Sequence, residues 1–224
     1  MIGSDLKIFV ESLIDDSIEE DLFYSLLNAA KDKLEDEREW EILKDWDNSL
    51  LWTPGDTYLT DKNMPATFRS MYGDGVIYLG EDSRYYPVPF KDIYRYRNAT
   101  NRYAIDYLNN KLRIIGSENQ AMTINIPFLV TTADITDTTE WAFPSRYHKI
   151  LGFRVAAYYT GGVDTDDIYA RMSPFHRAAA MELEDGLRRW NTRMALMVMN
   201  NRASSNLSSE GSNSDGRLSA EDLL

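Results

Sequence analysis

The 224-residue chain is long enough to bury roughly 70 % of its unfolded surface as one large domain or two small ones, which excludes a stapled mini-protein. It has no cysteine, so disulfides, thiolate nucleophiles and cysteine metal sites are ruled out, and no run approaches the ~18 apolar residues of a membrane span. The formal charge of −12, from 36 acidic and 24 basic residues, is opposite in sign to that of a tight nucleic-acid binder and argues against sequence-reading of DNA.

At the amino terminus no basic segment leads into an apolar core and a small-residue cleavage site, which predicts synthesis and folding in a cytoplasm. Behind Ser4, the three- and four-residue spacing of Leu6, Phe9, Val10, Leu13 and Ile14 predicts a short amphipathic helix over 4–16. Ser17-Ile-Glu-Glu20 reads as a capping box opening a second helix, with Ile18, Leu22, Leu26, Ala30 and Leu34 on one face. The acidic stretch Glu35 to Glu39 then leads into Trp40, Leu43 and Trp46, whose spacing continues the helix, through a bend, towards residue 47.

From Leu50 the period changes and turn residues accumulate, at Pro54-Gly55-Asp56, Pro65, Gly73-Asp-Gly75, Gly80, Pro87, Pro89 and Asn109-Asn110. Residues 103–108 and 111–115 predict a hairpin closed by Asn109-Asn110, and 122–126 with 128–130 adds a third alternating run. These short strands lack crossover helices and so predict antiparallel pairing. After Pro144 a mostly apolar stripe, Tyr147 to Tyr158, predicts a helix ending at Gly161-Gly162. A longer helix follows to about residue 200, with Phe175, Ala179, Leu183, Leu187, Trp190, Met194 and Met197 as its buried face. Residues 203–224 hold seven serines and carry net −3, the composition of a flexible tail whose Ser219–Leu224 end can order on a partner.

The expected fold class is therefore α+β: an antiparallel helical bundle from 1–49 and 141–202, an inserted small antiparallel β domain at 50–140, and a flexible tail at 203–224. Charge is polarised along it. Residues 1–47 hold 15 acidic and 5 basic side chains, whereas 84–113 hold 2 acidic and 7 basic, a pattern that permits head-to-tail pairing of copies.

Chemical motifs are sparse. Asp164-Thr-Asp-Asp167 has alternating carboxylates, but an EF-hand loop would need a glutamate at its twelfth position, where Phe175 stands, so helix capping is the better reading. His148 and His176 lack a nucleophile motif and read as core or helix-surface residues. Gly73-Asp-Gly75 and Gly161-Gly162 read as turns rather than phosphate loops. The mixture Arg84-Tyr-Tyr86, Lys91, Tyr94-Arg-Tyr-Arg97 and Arg102-Tyr103 is the one stretch resembling a single-strand stacking platform. Met194, Met197 and Met199 fit core packing or a partner-facing surface. No catalytic, cofactor-binding or metal-binding residue is assigned.

Several motifs in this order carry a family resemblance over roughly residues 4–202. They are a tryptophan late in the early helical region, Gly55-Asp-Thr-Tyr-Leu59 opening the β region, Arg102-Tyr-Ala-Ile-Asp106 before a Leu-Arg-Ile strand, and Phe143-Pro-Ser-Arg-Tyr147 leading through His148-Lys-Ile-Leu151 into the carboxy-terminal helices. Together they resemble the head-to-tail adaptor (connector) family of tailed bacteriophages, although Leu59-Thr60-Asp61 stands where that family continues leucine-proline-aspartate. The resemblance implies a virion protein of the neck, made in the host cytoplasm, that forms a ring of typically twelve copies under the portal. Its implied partners are its own copies, the portal protein, and tail, nozzle or stopper proteins, with DNA passing through the channel without sequence-specific binding. It implies no enzyme activity, no cofactor and no membrane. The alternatives are a non-catalytic protein-interaction module and a carboxylate-based hydrolase with paired Asp and Glu.

Calcium or zinc is expected to leave the thermal unfolding midpoint unchanged. A metal-dependent rise of several degrees that disappears on Asp164→Ala with Asp166→Ala would overturn that reading.

Overall fold

A computed structural model describes residues 1–53, 60–80, 83–96, 101–115, 121–161, 169 and 172–210, with side chains to residue 199. In chain order the elements are α1 (Gly3–Ile14), α2 (Glu20–Asp36), β1 (Lys44–Trp52), β2 (Thr60–Asn63), β3 (Phe68–Met71), β4 (Ile77–Leu79), β5 (Ser83–Pro87), β6 (Arg102–Asp106), β7 (Lys111–Ile115), β8 (Met122–Val130), α3 (Lys149–Tyr159) and α4 (Pro174–Glu210). Short 3-10 segments lie at Glu41–Leu43, Phe90–Tyr96 and Ser145–Tyr147.

The expected helical bundle with a small inserted β domain is not what forms. The protein is a mixed helix-and-sheet structure around an eight-stranded, nearly closed, barrel-like sheet with strand order β1-β8-β4-β5-β6-β7-β2, β3 pairing with β8 off this path. Two features overturn the expectation. First, residues 44–52 are not the end of a helix: they form β1, paired antiparallel with β8 from Lys44↔Leu129 to Trp52↔Met122. The Trp40-Leu43-Trp46 spacing suits a helix locally, but backbone pairing with a strand some eighty residues away wins, as tertiary context commonly does over weak local preference. Secondly, the sheet is not wholly antiparallel, because β5 and β6 pair in parallel through Tyr86↔Arg102 and Pro87↔Tyr103.

Strand β8 is the spine of the sheet. Its Ile124, Ile126 and Phe128 point into a core with Trp52, Ile77, Leu79, Tyr85, Tyr103, Leu112 and Ile114. A proline in mid-strand removes a ladder donor, and Pro127 lies where β8 changes neighbours, between β4 at Asn125 and β3 at Phe128. The hairpin of β6 and β7 forms, but not with the expected two-residue Asn109-Asn110 turn: Asp106↔Lys111 is its last pair, and Tyr107–Asn110 make a four-residue loop because Asp106 Oδ1 accepts the Leu108 and Asn109 amides.

The helices share a second core that reaches the sheet through Leu43 and Leu129. Helix α2 buries Phe23, Leu27, Ala30 and Leu34, one position from part of the expected face, and leaves Leu22 exposed. The capping box does not form: Asp15 takes a left-handed conformation, Ser17 stays in the connecting loop, and α2 starts at Glu20 without a side-chain cap. In α4 the buried positions are Ala180, Glu184, Leu187 and Asn191, whereas Phe175 and Met197 are exposed. Polar partners explain the offset: Glu184 receives Arg154, and the Asn191 carboxamide accepts from the Glu41 amide and donates to Glu39 O. Helix α4 runs to Glu210, into the segment expected to be a tail, and residues 211–224 lie outside the described residues.

A second, polar seam on α2 binds the extended linker after β8. The Tyr24 hydroxyl donates to Asp137 Oδ1 at 2.5 Å, and Asn28 bonds the Ile135 backbone in both directions. The buried Lys31 ammonium donates to Ala133 O at 3.1 Å and Asp134 Oδ1 at 3.2 Å. Glu35 Oε1 accepts from Thr132 Oγ1 at 2.7 Å and Trp141 Nε1 at 2.8 Å, while its Oε2 meets Arg69 of β3 at 3.2 Å. Beside this seam Gly3 donates its amide to Thr136 O, so close that a Cβ there would lie 2.3 Å from that oxygen and 2.7 Å from the Tyr24 ring.

Removing Glu35 leaves the Thr132 and Trp141 donors without their acceptor in a buried site, while Arg69 keeps Asp36. Glu35→Ala is expected to cost about 2–6 kcal/mol in urea unfolding, at ~1–3 kcal/mol for each unsatisfied buried donor. Asp36→Ala, which removes an exposed carboxylate from the same arginine, is expected to cost less than about 1 kcal/mol.

Candidate interaction surfaces

Strand alternation divides the tyrosines of the basic and aromatic stretch between the two faces of the sheet. Tyr85 and Tyr103 point inward and are buried, Tyr103 donating its hydroxyl to Gly75 O; its proton is held above the ordinary phenol range, first by burial. Tyr86, Tyr94 and Tyr96 remain exposed. Two of these already hold cations, with Arg102 over the Tyr86 ring at 5.5 Å and Arg113 over Tyr94 at 5.9 Å.

Arg113 is bidentate to Asp61, with Nε to Oδ1 at 2.5 Å and Nη2 to Oδ2 at 2.8 Å. This hydrogen bonding, more than the charge alone, holds the Asp61 carboxyl below its usual range and the guanidinium above its own. Arg95 pairs with Asp92. The expected stacking platform is thus reduced: two of its tyrosines are core residues, several cations are occupied, and Arg97 lies outside the described residues. Arg84, Lys91 and Lys111 remain exposed on this side of the sheet.

Unlike surfaces lie elsewhere. The turn between α1 and α2 exposes Asp15, Asp16, Glu19, Glu20 and Asp21. Near the far end of α4, Leu196, Met197, Val198 and Met199 are consecutive apolar residues exposed by 53, 60, 37 and 66 %, so the helix is bare on more than one side. A helix apolar all round is normally buried. The segment Phe143–Leu151 has an internal role: Phe143 stacks on Trp141 at 4.0 Å and meets Trp40 edge-on, and Tyr147 donates to Gly186 O of α4.

The remaining sequence candidates are structural where they can be seen. His148 is buried, its Nε2 2.7 Å from Phe143 O and its Nδ1 3.0 Å from Met1 O, and His176 sits half-buried against Phe175 and Phe153. Gly73, Gly75 and Gly161 occupy positive-φ turn positions. Asp164–Asp167, Gly162 and Gly55–Leu59 lie outside the described residues, among which no group of three His, Asp or Glu side chains could hold a metal and no helix is long and apolar enough to cross a membrane.

The feature that sequence reasoning missed is a buried ionic junction. Arg154 of α3 donates from Nε and Nη2 to Glu184 of α4 at 2.9 and 2.7 Å, its Nη1 lies 2.7 Å from Glu37 after α2, and Tyr169 donates to the same Glu184 oxygen at 2.6 Å. Burial by itself would lower the Arg154 pKa, but Glu37 and Glu184 override it and hold the guanidinium charged. The hint in the sequence was one arginine on an otherwise apolar helical stripe.

Comparison with known proteins finds no matching family model and no matching curated protein.

Because the folded-state pKa of Asp61 is depressed, its contribution to stability is complete above the unfolded carboxyl value and lost as pH falls through the lower folded value. Asp61→Asn is therefore expected to be less stable than the parent at neutral pH and to lose less stability on acidification from pH 5 to 2, as followed by thermal unfolding.

Proposed function

We propose that the chain is a head-to-tail adaptor of a tailed bacteriophage, assembling as a ring beneath the portal, extending the DNA channel and receiving tail components. The motifs from Gly55 to Leu151 support this reading, whereas the tryptophan motif does not, since Trp40 follows α2 and Trp46 lies in β1. The observation that carries it is the separation of unlike surfaces on one chain: exposed carboxylates at the α1–α2 turn, exposed cations on the β5–β7 side of the sheet, and a bare apolar end on α4.

A two-fold dimer that buries the α1–α2 turn sets like charge against like. A heterologous contact instead sets acid against base, and repetition of such a contact forms a ring when the rotation between copies closes. Exposed pairs contribute only ~0.2–1 kcal/mol each and are screened by salt, so charge sets orientation and encounter rate. Apolar burial, at roughly 25 cal/mol per Å², supplies most of the affinity. A net charge of −12 suits a channel through which DNA slides without being gripped.

Mixing the purified chain with portal protein and imaging the product at low and high ionic strength tests the proposal. Portals capped by a ring are expected, with assembly slower at high salt. Bare portals in both conditions, or a closed two-fold dimer in solution, would defeat the proposal in favour of a non-viral interaction module.

A further inference from the structure

The outer face of the sheet carries an aromatic groove whose floor the adaptor reading does not use, with Arg84 on its wall and Val198 and Met199 at its far end belonging to surfaces that reading does invoke. Strand pairing sets Trp46 of β1 opposite Pro127 of β8, and Tyr78 of β4 beside Asn125 of β8 and opposite Arg84 of β5, so these side chains and Tyr86 share one face. With Tyr72 just after β3, the residues Trp46, Tyr78, Arg84, Tyr86 and Pro127 line a groove of about 580 Å³. Trp46 is 45 % exposed and stacks on Tyr78 with ring centroids 6.1 Å apart. The groove continues past Trp46 and Tyr72 into a second depression of about 420 Å³ that ends at Val198 and Met199 of α4.

We infer that this groove docks an extended proline-rich peptide segment, presented by another protein, with a basic residue at one end. An aromatic floor suits a ligand that offers large apolar rings and few backbone donors, which describes polyproline II chain, a conformer that is already ordered before binding. Electrostatics selects the basic end. Asp74 in the groove and Asp45 on the wall of the adjoining depression are exposed, and among the described residues no cation lies within ion-pair distance of either. The neighbouring Lys44 is already held by Glu41 at 2.6 Å and by the Tyr72 ring. Arg84 on the β5 wall disfavours a second cation there, which orients the segment with its basic end towards the carboxylates. Single-stranded nucleic acid fits less well, since one arginine faces two carboxylates and stacked bases bring a phosphate with each step.

Tryptophan fluorescence reads the groove directly, because Trp40, Trp52 and Trp141 are buried, Trp190 is half-buried, and Trp46 is the one that iodide reaches most readily. A decaproline peptide carrying two terminal arginines is expected to shield the protein from iodide quenching. The same peptide with two glutamates, and a glycine-serine peptide with two arginines, are expected to bind at least about tenfold more weakly. By calorimetry, Tyr86→Ala should weaken the arginine-polyproline peptide several-fold, and Asp74→Lys, on an exposed turn, should reverse the preference between arginine and glutamate ends. Unchanged circular dichroism would confirm that both variants fold. Failure of the arginine-polyproline peptide to protect Trp46, equal protection by the glycine-serine peptide, or protection by maltohexaose or oligothymidylate in its place would each overturn the inference. None of these outcomes bears on whether rings form on portals.

Discussion

Helix α2 presents two seams about a quarter-turn apart, and the rest of the molecule is arranged around its polar one. Phe23, Leu27, Ala30 and Leu34 bury apolar surface against α3 and the other helices, as an amphipathic helix should. Beside them Tyr24, Asn28, Lys31 and Glu35, spaced three and four apart, are polar, and all four reach the linker that leaves β8. An extended linker crossing a helix carries backbone groups that must be paired once water is excluded. The Asn28 carboxamide and the Lys31 ammonium supply those partners, so the chain between sheet and helices follows a defined path.

The end of α2 concentrates charge of the unfavourable sign. Glu35 and Asp36 close the helix and Glu37 caps it, where the macrodipole is negative and a carboxylate is normally destabilising. Two arginines from different elements offset this: Arg69 of β3 meets Glu35 and Asp36, and Arg154 of α3 meets Glu37. Desolvating such groups is costly, and the pairs recover the cost through close opposite charges and the hydrogen bonds of Glu35 and Glu184, while Arg154 Nη1 meets Glu37 as an ion pair without hydrogen-bond geometry. The junction therefore specifies one arrangement of α2, α3, α4 and the sheet, since any shift leaves a buried charge unmatched.

In the sheet, ordinary alternation produces two populations of aromatic residue. Tyr85 and Tyr103 fill the interior, where the Tyr103 hydroxyl satisfies a turn carbonyl, while Tyr78 and Tyr86, on the opposite face, stay in contact with water. Pro127 faces the outer side but is itself buried, at the point where β8 exchanges one neighbour for another, so the missing amide does little harm and the ring lines the aromatic groove.

Local periodicity in the sequence was enough for α1, the course of α3 and α4, the hairpin at 102–115 and the alternating run that became β8, because each depends on neighbours a few residues apart. It also marked the tyrosine and arginine stretch as unusual, though not which rings face outward, since that depends on register with strands elsewhere in the chain. Tertiary structure decided the rest. Lys44–Trp52 became a strand because β8 offered a ladder, and the buried stripe of α4 included Glu184 and Asn191 because Arg154 and the Glu41 backbone lay opposite. Glu35 and Glu37 changed from a solvated acidic run into the centre of the junction for the same reason. A charge or a helical spacing is read from the chain alone, but whether it is paired, buried or overruled depends on groups that only folding brings within 3 or 4 Å.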